Sequence, residues 1–153
     1  MLTQLEDNMN TLYDRDFYQW IETTVNQLRQ QKFDLVDWEN LIEELEGLGR
    51  SEKRAVRSHL VILLLHLLKW QYQPEYQSRS WRTSVNNARR QLMKLLKDNP
   101  SLAGDFLLES VPDAYEEAKE TASEETTIFL ENFPDACPYT VEQLLAKDWL
   151  PRS

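Results

Sequence analysis

Along this chain of 153 residues, apolar side chains recur at three- and four-residue intervals in almost every segment, which predicts helices and no strands. From Tyr13 or Asp14 onward, Phe17, Trp20, Ile21, Val25 and Leu28 mark one face of a helix that ends in the polar run 30–32. Asp37 is placed to cap a second helix, in which Trp38, Leu41, Ile42, Leu45 and Leu48 share a face and Gly47 and Gly49 provide an end. Ser51 then caps a third, 52–72, basic at first and apolar from 60 to 68 except at His66. A run that is hydrophobic on every side needs other helices around it, so this is the expected central helix, with His66 buried or half-buried. It stops before Pro74, because the residue ahead of a proline disfavours helical geometry.

Ser80 is the expected cap of a fourth helix, 81–97, with Val85, Ala88, Leu92, Leu95 and Leu96 facing inward and arginines on the other side. Asn99 and Pro100 restart the chain into a short fifth helix through about Glu109, and Asp113 with Glu116 forms the capping-box pattern of a sixth, to about Thr126. Segment 129–139 carries two prolines and is irregular; Thr140 and Gln143 then cap a last short helix ending near Trp149. The expected architecture is all-α: one helical domain over 1–153, a bundle of about four main helices with shorter C-terminal ones, and residues 1–12 as an N-terminal tail.

Composition supports this reading, since three glycines leave few helix breakers. The one cysteine, Cys137, excludes an intrachain disulfide and fits a reducing cytoplasm. The opening residues form neither a basic leader nor a long apolar stretch, and run 60–68 falls far short of the ~20 residues that span a bilayer. Neither export nor a membrane partner is expected. The formal charge of −9 conceals a division: residues 50–97 hold eleven lysines and arginines against two acids, and both flanks are acidic.

Three polar groupings suggest chemistry. Glu39, Glu43 and Glu46 fall at i, i+4 and i+7, and carboxylates Glu43 and Glu46 brought to His66, with Lys69 and Gln73 on the same helix as the histidine, would make a polar cluster suited to a divalent metal or small ligand. The Glu-x-x-His motif of dimetal bundles is absent, and His59 and His66 lie ~10.5 Å apart along the helix axis, too far to share an ion. The plainer reading makes the glutamates a solvated or arginine-paired face and His66 a hydrogen-bonded core histidine, with no cofactor. At the GLGRSEKR junction, a helix N-terminus capped by Ser51, with Arg50, Lys53, Arg54 and Arg57 close by, would suit a phosphate or other anion; no strand or Walker loop precedes it. A simple interhelical turn competes with that reading.

The third grouping is Arg79, Arg82, Arg89, Arg90 and Lys94 around Trp81, a pattern that can neutralise phosphates and stack a base of a nucleic acid. Arg54 and His59 also match the loose Arg-x4-6-His spacing of a class of helical-bundle ribonucleases, a spacing common by chance. With 24 acids outside the basic segment, internal pairing of basic with acidic helices is the simpler account, and nucleic acid is the less favoured partner. Cys137 has no histidine near it in sequence to activate it and is taken as a packing residue.

Five blocks taken in order, LYDRDFYQWIE (12–22), DWENLIEELEGLGRSEKRAV (37–56), LLLHLLKWQYQPE (63–75), SRSWRTSV (78–85) and FPDACPYTVEQLL (133–145), resemble a bacterial, largely cyanobacterial family known as domain of unknown function twenty-nine. The resemblance implies an all-helical fold and a cytoplasmic bacterial protein, and it carries no activity. It also implies that Glu43, Glu46, Arg50, His66, Lys69, Gln73, Arg79 and Trp81 belong with the core blocks, either as a buried polar network or as the lining of a cleft. The expected function is a helical interaction module without chemistry of its own, binding a protein partner as a monomer or homodimer. An enzymatic, metal or ligand site around His66 with Glu43 and Glu46 is the first alternative. Phosphate or nucleic-acid binding through the basic middle segment is the second.

Overall fold

The structure, a computed structural model, describes residues 12–153, so the expected tail over 1–12 lies outside the described residues but for Leu12. The described residues form six α-helices and no strand: α1 Leu12–Arg15, α2 Phe17–Arg29, α3 Trp38–Tyr72, α4 Arg79–Asp98, α5 Asp105–Glu125 and α6 Val141–Leu145. Single 3-10 turns stand at Phe33–Leu35, Pro74–Tyr76, Pro100–Leu102 and Leu130–Asn132. The all-α class follows the periodicity. The chain divides into two compact units, Met1–Gly49 and Arg50–Ser153, and the division falls within α3.

The second and third helices expected from the sequence are one element. α3 continues through Gly47, Gly49 and Ser51 because an interior glycine costs only about 1 kcal/mol relative to alanine. Helix-forming Glu43, Glu44, Glu46, Lys53 and Arg54 surround those positions, and Glu46 precedes Arg50 at the favourable i, i+4 spacing. Asp37 caps α3 as expected, its Oδ1 accepting from the Asn40 N–H at 3.3 Å. The fifth and sixth expected helices also merge, into α5, with Pro112 inside it. Pro112 withholds one N–H from the carbonyl of Leu108, and Leu108 is exposed, so solvent can meet that carbonyl. Pro100 opens only a 3-10 turn, and Ser78 rather than Ser80 caps α4. The Thr140–Gln143 capping box forms as expected, but α6 ends at Leu145, short of Trp149.

In the first unit, Asp16 caps α2 by accepting from the Gln19 N–H at 3.0 Å, two to three residues later than the start read from the sequence. α2 ends without a glycine: Gln31 takes a left-handed φ of 58°, and the N–H groups of Gln31 and Lys32 return to the carbonyls of Leu28 and Gln27 at 3.1 and 2.9 Å. That is a Schellman ending, built here at the steric cost a side chain meets in the left-handed region. Trp20 sits among aromatic neighbours, with Tyr13 edge-on at 4.9 Å and Phe17 stacked at 5.8 Å between ring centroids. Trp20, Thr24 and Val36 are the buried side chains among this unit's described residues.

The second unit contains the core. Val56, Leu60, Leu63, Leu64, Leu67 and Leu68 form one stripe of α3, facing Val85, Ala88, Leu92 and Leu96 of α4 and Leu107, Val111, Ala114, Tyr115, Ala118 and Ala122 of α5. Alanines on the α5 stripe allow the helices a close approach, while each fully buried leucine contributes about 1.5–3 kcal/mol. Phe133, Tyr139 and Leu144 of the C-terminal segment close this cluster. One buried cation holds that segment down: Arg89 of α4 donates from Nε to the Leu144 carbonyl at 2.8 Å and from Nη2 to the Trp149 carbonyl at 3.0 Å. A guanidinium at the C-terminal end of α6 meets the carbonyls that the helix leaves unpaired.

Candidate functional site

His66 is half-buried, and its Nδ1 donates to the carbonyl of Ile62, one turn earlier in α3, at 2.9 Å. Ile62 is 41% exposed, so the apolar run is not covered on every side as expected; Ile62 and His66 lie on its open side. Glu43 and Glu46 of the expected divalent-metal cluster belong to the first unit and His66 to the second, 20 residues further along α3 than Glu46. Among the described residues, no group of three His, Cys, Asp or Glu is placed to hold a metal ion.

Lys69 and Trp81 do meet. The Lys69 ammonium pairs with the Glu125 carboxylate and lies 5.6 Å from the Trp81 ring centroid, while the Arg82 guanidinium lies 5.6 Å from that of Trp70. Each helix thus sets a cation on the other's indole, fixing α3 against α4 and using one face of Trp81 that a base would need. Gln73 is half-buried just past the end of α3, its N–H bonded to the Lys69 carbonyl at 2.9 Å. The carboxylate that Lys69 meets is thus Glu125 of α5.

The expected anion site loses its basis, because Ser51 lies inside α3 and no helix begins there. Lys53 and Arg57 lie over the Phe106 ring at 5.4 and 5.1 Å, and Arg50 is exposed. Of the expected nucleic-acid arginines, Arg79 and Arg82 are exposed, and Arg90 is exposed with Nη1 bonded to Asn87 Oδ1 at 3.1 Å. Arg89 is a correction: only 4% exposed, it anchors the C-terminal segment and has no surface to offer a phosphate. Burial lowers its pKa from the ordinary arginine value, and the charge of Asp148 opposes that shift.

A groove of about 620 Å³ runs along α5 beside segment 135–142, with Val111, Pro112, Tyr115 and Cys137 among its apolar lining. Burial pushes the Cys137 thiol up, the direction opposite to that of an activated nucleophile. Burial likewise pushes up Tyr115 and Tyr139, whose hydroxyls donate to the Pro134 carbonyl at 2.5 Å and to Gln71 Oε1 at 2.7 Å. These groups are arranged for packing.

The largest uncovered feature lies in the first unit. Phe17, Tyr18, Ile21, Val25, Phe33, Leu35, Trp38, Ile42, Leu45 and Leu48 are each at least 38% exposed, ten large apolar side chains in 32 residues. On α3, Trp38, Ile42, Leu45 and Leu48 form a stripe at i, i+4, i+7 and i+10, and Phe17, Ile21 and Val25 form another on α2. Glu44, on α3, accepts from the Tyr13 hydroxyl, and that bond, with burial, pushes the tyrosine up to about 12. The sequence pattern places Phe17, Ile21, Val25, Trp38, Ile42, Leu45 and Leu48 on apolar helix faces and says nothing of whether those faces are covered.

Among the described residues the protein is all-helical, several cations of the second unit pack on aromatic rings or backbone carbonyls, and the first unit leaves ten large apolar side chains exposed. The chain belongs to the family described as Domain of unknown function DUF29, whose model matches residues 12–150. Comparison with curated proteins and with solved structures found no match. Among the described residues, no helix is long and apolar enough to cross a membrane.

Proposed function

We propose that this protein is a helical interaction module that binds a protein partner through the exposed apolar stripes of α2 and the first part of α3. The observation that carries this reading is the set of ten large apolar side chains, 38–70% exposed, between Phe17 and Leu48. Soluble monomers rarely leave contiguous apolar surface of more than a few hundred Å² uncovered unless something binds there. Among the described residues, no group of three His, Cys, Asp or Glu is placed to hold a metal ion. His66 is bonded within its own helix, and Cys137 bonds the Tyr139 carbonyl two residues on.

The test is native purification from the source organism of wild type, of I42Q/L45Q, and of M93Q, which alters an exposed apolar residue of α4 in the other unit. A partner should accompany wild type and M93Q and be lost from I42Q/L45Q. A wild-type protein that purifies alone, or a partner indifferent to Ile42 and Leu45, removes the proposal.

A further inference from the structure

The groove beside α5 combines an apolar floor with one kind of unused polar group. Its volume of about 620 Å³ falls in the range of roughly 300–1,000 Å³ that small-molecule sites occupy. Val111, Tyr115 and Tyr139 are buried in it and Cys137 and Val141 half-buried, so its deeper surface is largely apolar. The hydroxyls and the thiol of the lining are already engaged. Tyr115 and Tyr139 donate to the Pro134 carbonyl and to Gln71, Cys137 Sγ donates to the Tyr139 carbonyl at 3.5 Å, and Thr140 Oγ1 accepts from the Gln143 N–H at 3.1 Å.

Four carboxylates, with no lysine, arginine or histidine, complete the lining: Asp113 and Glu116 from α5, Asp135 and Glu142 from the segment beside it. Glu116 is taken by Lys119, whose Nζ bonds its Oε1 at 3.1 Å and the Asp135 carbonyl at 3.4 Å. Among the described residues, the carboxylates of Asp113, Asp135 and Glu142 have no hydrogen bond or ion pair, and all three residues are exposed. A carboxylate accepts hydrogen bonds and repels anions, so the occupant it suits is a cationic donor. The carboxylates do not converge as metal ligands would, and charge spread along an apolar floor fits an organic cation better than a compact metal ion. The α5 wall runs from Leu108 to Glu116, about 12 Å of helical rise, which sets a small-molecule length.

We infer that this groove binds a small amphiphilic organic cation, its ammonium or guanidinium group drawn to Asp113, Asp135 and Glu142 and its apolar body laid on Val111, Tyr115 and Val141. The site goes beyond the interaction reading above, which concerns the first unit. Apolar contact supplies most of the affinity, and the rim charge discriminates against a neutral or anionic molecule of the same shape.

The experiment titrates the full chain by calorimetry with three probes that share one body, phenylbutylamine, phenylbutanol and phenylbutyrate, and with ethylamine, which has the charge and little body. Phenylbutylamine should bind at least about tenfold more tightly than each of the others. D113N/D135N/E142Q should weaken its binding by about tenfold, and A136W, which sets an indole in the groove, should abolish it. These positions are exposed, so the thermal midpoint should hardly move in either variant.

Equal binding of the alcohol or the carboxylate overturns the cationic assignment, and equal binding of ethylamine overturns the role of the apolar floor. Phenylbutylamine binding that survives both D113N/D135N/E142Q and A136W overturns the site. Binding lost in I42Q/L45Q and kept in A136W places the amine on the stripes of the first unit and likewise overturns it. A short Leu/Lys peptide that binds more than about tenfold more tightly than phenylbutylamine makes the groove a dock for a basic protein segment, against the small-molecule assignment.

Discussion

The two units of this chain read alike in sequence and differ in what they do with their apolar residues. Helix faces of the second unit converge into one cluster that runs from Val56 to Leu144. The first unit has equally regular faces, yet among its described residues the buried apolar side chains are Trp20 and Val36, and ten others remain exposed. A helix stripe becomes core only when enough neighbouring stripes surround it. Around α3 of the second unit stand two helices of about its own order of length and a C-terminal segment, whereas the described residues of the first unit offer a 13-residue α2, a four-residue α1 and a 3-10 turn. Periodicity reports which side of a helix is apolar, and not whether that side is covered.

The comparison is most directly tested in the core. Leu64→Ala, at a position with no exposure, should cost about 2–5 kcal/mol in urea unfolding, by lost burial and the cavity left behind. A cost below about 1 kcal/mol would mean that the second unit is packed no better than the first. Arg89→Met comes next, at about 1–3 kcal/mol, because it leaves the carbonyls of Leu144 and Trp149 without their donor. Hydrogen exchange should then rise across 141–150 more than across α3. Uniform loss of protection would show that Arg89 supports the whole core instead of its C-terminal closure.

These residues also show how far sequence reaches. The helical class, the core stripes of α3 and α4, the Asp37 cap and the Thr140–Gln143 capping box were all legible, because each depends on residues within a turn or two of one another. The continuity of α3 and the inclusion of Pro112 in α5 were not. Glycine and proline penalties of about 1 and 3 kcal/mol are modest beside the packing of a long helix, and local rules do not see that packing. Arg89 was misplaced for a similar reason: its partners lie 55 and 60 residues away, and an arginine beside Arg90 looks like surface until α6 arrives. The candidate site was half legible: the stripes of Phe17, Ile21 and Val25 and of Trp38, Ile42, Leu45 and Leu48 follow from helical spacing, while their exposure depends on tertiary packing that spacing does not report.

Gly49, where the first unit ends, gives a smaller effect. Its absent Cβ would meet nothing within 4 Å, so Gly49→Ala should stabilise α3 by about 0.5–1 kcal/mol through helix propensity alone. Thermal unfolding with circular dichroism would detect the gain. A loss of stability would mean that a neighbour approaches that backbone closely, and the helix would then owe its glycine to packing.

The smallest expected effect bears most on the difference between the units. Leu45 is 58% exposed, and its replacement by alanine improves helix propensity slightly while removing only half-covered apolar surface. The change in urea unfolding should therefore stay within about 0.5 kcal/mol, against several for Leu64→Ala on the same helix. Two leucines on one helix, 19 residues apart, would then differ in stability cost because one has a core around it and the other faces solvent. If Leu45→Ala instead cost about 2 kcal/mol or more, Leu45 would be core in the free protein, and a surface awaiting a partner would no longer be needed to explain the apolar face of α3.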